Sequence, residues 1–181
     1  PNVATAPADG EKEASSTRQV FLGSNPLAAT KIEKTRVIDN GLAANSDLVL
    51  DNNIITYNLE LEVLTATPSS LFTPGQLTGR DFTGRMPASI TDPSNLVLVS
   101  DAMPAGTVLN STVSTVVDAA GRIWTPVYAE TEPAYIAGSN IAADQITWLD
   151  TPTALANVTR VGWVYDGNSA LGAIDPGTTV A

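Results

Sequence analysis

The chain has 181 residues, of which 43% are hydrophobic, and it carries a formal net charge of −10. Phosphate recognition needs clustered cations, so this charge argues against nucleic acid as a partner, and equally against an anionic membrane surface. The chain has neither Cys nor His, which excludes zinc sites of the Cys/His type and Ser-His-Asp or Cys-His nucleophiles.

The composition leaves few metal sites and few catalytic mechanisms open to the chain. No cofactor is predicted, and among metal ions hard, oxygen-ligated cations such as calcium remain possible. No apolar run reaches the roughly 18 residues of a membrane-spanning helix, so membrane insertion is not expected. The paired carboxylates of the chain fit a solvated strand face better than a glycosidase site. We therefore expect no enzymatic activity.

The N-terminal part is predicted to be a segment separate from the main domain. Residues 1–26 are mostly small, polar and charged, which indicates an extended segment. Within it lies a short apolar run that contains Val20, Phe21 and Leu22, the candidate donor strand or linker strand. Residues 27–181 form the predicted β-sandwich domain.

An Asp- and Asn-rich link in this domain holds the candidate metal site. Calcium takes several oxygen ligands from loops of this kind. The spacing does not follow the EF-hand order, and Asp and Asn are also common turn residues, so a plain turn remains the alternative. The candidate calcium ligands are Asp47, Asp51, Asn52 and Asn53.

The clearest strand follows this link, from Ile54 to Ala66. Apolar residues such as Tyr57 and Leu59 alternate with polar residues such as Asn58 and Glu60. A strict period of two with acidic residues on one face predicts a half-buried antiparallel strand.

A Pro-, Gly-, Ser- and Thr-rich stretch, residues 67–95, is predicted to form a long loop or short irregular strands. It supports an alternative function, an adhesin or carbohydrate-binding surface module. That alternative would use exposed aromatic side chains, for which Phe72, Phe82 and Tyr135 are the candidates.

The rest of the chain has many short strand-like runs, and no segment has a convincing helical period. Two runs near residues 107–117 and 123–129 are separated by a turn at the sequence DAAGR, and another run covers residues 135–150. Short strands with frequent turns predict an all-β fold, an immunoglobulin-like antiparallel β-sandwich.

The sequence DAMPAGT has a distinctive spacing of Asp101, Pro104, Gly106 and Thr107. It resembles the Asp-x-x-Pro-x-Gly-Thr motif of a conserved repeat domain of unknown function from bacterial cell-surface proteins. The similarity covers about residues 27–181 and implies an extracellular immunoglobulin-like module, often in tandem. A structural corner explains the same spacing, because Asp accepts backbone N–H groups, Pro fixes φ and Gly allows positive φ.

Members of that family usually continue beyond the Pro-Gly corner that the chain has at Pro176, whereas this chain stops at Ala181. The sandwich is therefore predicted to lack its final strand, which would leave an open sheet edge and an apolar groove. The acceptor groove is expected on an edge strand around Val161, Trp163 and Val164. The open alternative is a piece of a longer tandem protein.

A strand donated by a neighbouring copy would fill such a groove, and head-to-tail donation gives a fibre because it does not close. The sequence thus predicts an extracellular, cell-surface structural protein that assembles into a fibre, sheath or surface layer. Its partner would be itself, as a head-to-tail homopolymer built by strand complementation or tandem repetition.

Overall fold

A computed structural model describes residues 2–5, 15–18, 26–39, 49, 53–67, 71–130 and 145–181. This part of the chain contains no α-helix, and accordingly none of its helical turns is long and apolar enough to cross a membrane. Antiparallel sheets pack together, which confirms the predicted all-β sandwich. The strands of the described part are β1 (Asn2–Thr5), β2 (Ser15–Arg18), β3 (Pro26–Leu27), β4 (Thr30–Asp39), β5 (Ile54–Val63), β6 (Thr73–Pro74), β7 (Leu96–Ala102), β8 (Val116–Val117), β9 (Ile123–Ala129), β10 (Arg160–Asp166) and β11 (Thr179–Val180).

The first sheet, sheet I, has the strand order β11-β5-β4. β4 and β5 pair antiparallel over all ten residues of each strand, from Thr30 opposite Val63 to Asp39 opposite Ile54. Burial along β5 alternates as the sequence predicts, and its inward face becomes fully buried toward Val63. β11 covers only the end of β5, where Thr179 lies opposite Glu62 and Val180 lies opposite Leu61.

The second sheet, sheet II, has the antiparallel order β7-β10-β9-β8. The predicted turn at DAAGR joins β8 to β9. In it the Gly121 nitrogen donates to the Asp118 carbonyl oxygen at 2.9 Å, and Gly121 has a φ of 85°. Glycine suits this position because other residues rarely adopt positive φ.

The main core lies between the two sheets. The inward residues of both sheets are mostly aromatic or branched. Their burial makes the largest favourable contribution to the free energy of folding. Its buried members are Leu61, Val63, Val97, Val99, Trp124, Tyr165, Ile174 and Val180.

Sheet II is covered on its other face too, by two non-strand segments, residues 80–92 and 145–150. Phe82 and Trp148 are buried there against Val164 of β10. The Trp148 nitrogen donates to the Arg85 carbonyl oxygen at 2.8 Å, which ties the two segments together. The central strands of sheet II are therefore buried on both faces.

Two predicted strands differ from the structure. Residues 107–115 form no strand: Leu109 and Val113 pack on Tyr128, and the Val113 nitrogen donates to the Tyr128 hydroxyl at 2.9 Å. Residues 145–150 make only one bridge, between Leu149 and Tyr128. In both places apolar side chains cover the core from loops rather than from a sheet.

The N-terminal segment contains an antiparallel hairpin, in which β1 pairs with β2. β3 pairs in parallel with β6 at the start of the sandwich. Val20, Phe21 and Leu22 lie outside the described residues, so the donor-strand assignment and the domain boundary stay predictions.

Candidate functional site

A groove of about 440 Å³ opens between the two sheets. Sheet I has three strands over the four of sheet II, and its third strand, β11, is only two residues long. Within the described part of the chain, the space beside β5 is therefore filled at one end only. The apolar residues along the groove are Tyr57, Leu59, Leu61, Val99, Val116, Trp124, Trp163 and Val180.

No described strand covers most of the β5 edge beside this groove, which is called the open edge below. Among the described residues, β5 pairs on this side only from Leu61 to Val63, so the stretch from Ile54 to Glu60 has no neighbouring strand there. An unpaired edge presents a row of backbone donors and acceptors that another strand can satisfy. Edge and groove together form a site shaped for an extended peptide.

The opposite edge of sheet I differs in its side chains. β4 is also an edge strand, but five of its ten residues are charged, including Lys31 and Arg36. Charged side chains on an edge discourage pairing with another chain. The stretch of β5 from Ile54 to Glu60 carries a single charge, that of Glu60. The composition of the two edges therefore favours β5 as the acceptor.

The acceptor groove predicted around Val161, Trp163 and Val164 requires a correction. These residues lie on β10, which is not an edge strand, because it pairs with β7 on one side and β9 on the other. Side chains of a strand alternate, so Val164 points to the opposite face and packs with Phe82. Trp163 alone lines the groove, half-buried, and its Nε1 donates to the Ser114 carbonyl oxygen at 3.1 Å.

Asp101 does not act as the predicted turn acceptor. It lies on β7, and its carboxylate pairs with Lys34 of β4 across the sandwich. The Lys34 ammonium also lies 4.1 Å from the centre of the Tyr57 ring. The corner that follows is structural as expected: Gly106 has a φ of 79°, and Thr107 donates from its nitrogen and its hydroxyl to the preceding turn.

A buried ion pair fixes the hairpin of β8 and β9. The side chains of Asp118 and Arg122 are 2% and 7% exposed, and Arg122 Nη1 lies 3.4 Å from Asp118 Oδ2. Asp118 Oδ1 accepts the backbone N–H groups of Ala120 and Arg122, each at 2.9 Å, and Oδ2 accepts Trp124 Nε1. Burial raises the pKa of Asp118, but these hydrogen bonds outweigh it and hold the pKa below its ordinary value of 3.8.

The stabilisation that Asp118 gives is expected to depend on pH. A carboxyl whose pKa is lowered by folding stabilises fully above its unfolded pKa and loses this contribution as the pH falls through the folded value. We expect the difference in unfolding free energy between the wild type and Asp118→Asn to stay constant above about pH 5 and to shrink below about pH 3.8. Urea unfolding over a pH series measures it, and a difference unchanged at about pH 3 would contradict the prediction.

The candidate calcium site lies mostly outside the described residues. Only Asn53 of the four candidate ligands is described, and it already has an interaction partner. Within the described ranges, no group of three or more acidic side chains could hold a metal ion. Calcium binding by Asp47, Asp51 and Asn52 therefore stays a prediction.

The aromatic surface expected for an adhesin is smaller than predicted. Phe82 is 4% exposed and belongs to the core, so its prediction as an exposed side chain is wrong. Phe72 is exposed, and Tyr135 lies outside the described residues. One of the paired carboxylates of the chain, Glu130, accepts hydrogen bonds from the nitrogen and hydroxyl of Thr153.

The fold is that of an all-β sandwich, and the residues that the structure describes leave one strand edge open beside a groove. The chain belongs to the family described as Domain of unknown function (DUF7925), whose model matches residues 29–181. No curated protein and no solved structure matches the chain. The repeat architecture and the cell-surface origin implied by the resemblance above stay predictions.

Proposed function

We propose that the protein is an extracellular structural subunit that builds a fibre, sheath or surface layer by strand complementation. The open edge of β5 beside an apolar groove is the observation that carries this proposal. An added strand would pair with β5 through its backbone and place alternate side chains in the groove. The same edge would be paired in a tandem arrangement, with the strand supplied along one covalent chain.

The donor in this proposal is the apolar run with Val20, Phe21 and Leu22 of a neighbouring copy. It directly follows β2, at the far end of the chain from β11. Because donor and acceptor are different surfaces, each copy gives one strand and receives one. Such a contact repeats without closing, which produces a linear assembly.

The donor run is tested by a full-length variant, Val20→Asp, Phe21→Asp and Leu22→Asp. Burying carboxylates in an apolar groove costs several kcal/mol, so we expect assembly at a fixed concentration to fall at least about tenfold. Negative-stain electron microscopy and light scattering measure assembly. Tryptophan fluorescence adds a readout at the groove itself. Trp163 is half-buried in the groove, so a bound strand should change its emission, whereas Trp124 and Trp148 are already buried.

Val108→Asp is the matched control. Val108 is 66% exposed and does not line the groove, so the same kind of change there should leave assembly unaltered. Fibres of undiminished length from the triple variant would overturn strand donation. A denaturing mass measurement on native material adds the second test: a covalent chain far above 18.8 kDa would show tandem repetition instead of separate subunits.

A further inference from the structure

We propose that the open edge binds an extended peptide strand that runs antiparallel to β5, in line with β11, and that has an apolar side chain at every second residue. The inference rests on the proposed function and names the chemistry and the direction of the partner strand. Three features of the described residues lead to it: the backbone groups of the open edge, the side chains of the same residues, and the direction of β11.

The backbone groups of β5 point alternately to its two neighbours, as in any strand of an antiparallel sheet. The Val63 nitrogen donates to the Thr178 carbonyl oxygen at 2.9 Å, on the β11 side. The next nitrogen, that of Leu64, donates to the Ala29 carbonyl oxygen at 2.8 Å, on the β4 side. By this alternation, the N–H and C=O groups that point out of the open edge belong to Ile55, Tyr57 and Leu59.

The same residues turn their side chains toward the inside of the sandwich. Tyr57 and Leu59 are half-buried and line the groove, whereas Asn58 between them is exposed. In an antiparallel pair, the residue that exchanges both hydrogen bonds with Leu59 lies directly opposite it, so its side chain points to the same face. Each residue that bonds to the open edge therefore also places its side chain in the groove, and the residues between point outward.

Sheet II supplies an apolar floor to the groove. Val116 and Trp163 are half-buried there, and Trp163 Nε1 donates to the Ser114 carbonyl oxygen at 3.1 Å. The N–H group of the indole is thus satisfied, and its ring offers apolar surface. Because burying an unpaired polar group costs free energy, the side chains opposite Tyr57 and Leu59 should be apolar.

β11 has the same pattern and indicates the direction. It runs antiparallel to β5, and Ala181 follows it at the margin of the groove. Val180 is buried opposite Leu61, and its neighbour Thr179 is exposed. A strand in line with β11 continues this ladder in register. The described pairs of sheets I and II are all antiparallel, an arrangement slightly more stable per residue than the parallel one.

Other registers and directions have different consequences. A shift of the incoming strand by one residue would turn its apolar side chains to the solvent and its polar side chains to the groove. A parallel strand would bond to the open edge through the residues whose side chains point outward, because in parallel pairs the bonds are slanted to the residues on either side. The two directions therefore use different N–H groups of the incoming strand.

N-methylation of a synthetic peptide tests the direction. The probe is the heptapeptide Lys-Val-Thr-Val-Thr-Val-Lys, which repeats the alternation of β11 and has a lysine at each end for solubility. Its binding to the full-length variant whose donor run carries three aspartates, the donor-run variant, is measured by the emission of Trp163, so that no donated strand competes. We expect N-methylation of the central valine to weaken binding at least about tenfold, because it removes an N–H group that bonds to the open edge.

N-methylation of a threonine next to that valine is the matched control. Its N–H group points away from β5 in an antiparallel pair, so the affinity should stay within about twofold. A peptide of the same composition without alternation, Lys-Thr-Val-Val-Val-Thr-Lys, should bind at least about fivefold more weakly, because fewer valines reach the groove. Equal affinities of the two methylated peptides, the reverse order, or unchanged emission with the unmethylated peptide at about 1 mM would overturn the inference.

Failure of this inference and failure of the proposed function give different results. If the donor-run variant loses assembly but the two methylated peptides bind equally, strand donation stands and the direction assigned to the strand is wrong. If that variant assembles like the wild type while the peptides behave as expected, the groove binds a strand of this chemistry, but that strand is not the donor of a homopolymer.

Discussion

Replacing Gly79 by alanine is expected to destabilise the sandwich by at least about 3 kcal/mol, because the site has no room for a Cβ. A Cβ there would lie under 3.0 Å from the backbone carbonyl carbon and oxygen of Asn95 and the nitrogen of Leu96. Backbone atoms cannot rotate aside as a flexible side chain can. For a domain of this size the melting temperature should fall by roughly 6–12 °C, measured by circular dichroism.

The clash matters because Asn95 joins three parts of the chain. Its Oδ1 accepts the Gly79 nitrogen at 2.8 Å, and its carbonyl oxygen accepts the Gly167 nitrogen at 2.9 Å. Its side-chain Nδ2 donates to Asn168 Oδ1 at 3.1 Å, and its own φ is 52°. Moving Gly79 away would also break the adjacent bridge between Arg80 and Leu96.

Gly84→Ala provides the comparison for this effect. Gly84 has a φ of 75°, and a Cβ there would meet nothing within 4 Å. Its substitution should cost only the left-handed backbone penalty of roughly 1–2 kcal/mol. If the two alanine substitutions, at Gly79 and at Gly84, lowered the unfolding free energy equally, the steric explanation would be wrong.

The features that could be predicted from the sequence are those determined by residues close together in the chain. The alternation of β5 is a period-two pattern and needs no knowledge of the partner strand. The turn at Asp118 and the positive φ of Gly106 follow in the same way from turn chemistry. These features could be predicted because their cause lies within a few residues.

The order of the strands could not be predicted in this way. The prediction of β10 as an edge strand is wrong, and the run around Trp163 and Val164 is almost continuously apolar, which indicates burial on both faces. That signal would have favoured an interior strand. The open edge of β5 depends on where β11 docks, and the contact of Gly79 with Asn95 spans two loops, so neither has a local signature.

Replacing Asp118 by alanine is expected to lower the unfolding free energy by about 3–5 kcal/mol, because it leaves a buried charge without its partner. The Arg122 guanidinium would keep its burial but lose the carboxylate, and its Nε has no hydrogen-bond partner among the residues that the structure describes. The Trp124 Nε1 and two backbone N–H groups would lose their acceptor as well. Urea unfolding measures the loss, and the β8–β9 hairpin should lose hydrogen-exchange protection first.

A double variant separates the ion pair from the loss of hydrogen bonds. Adding Arg122→Met to Asp118→Ala removes the unpaired charge, so the double variant should be more stable than the sum of the single changes predicts, by roughly 0.5–3 kcal/mol. Arg122 also lies 5.9 Å from the Tyr165 ring, and Met keeps much of that packing. Purely additive losses would mean that Asp118 acts only through the N–H groups that donate to it, and the buried pair would then contribute nothing to the stability of the hairpin.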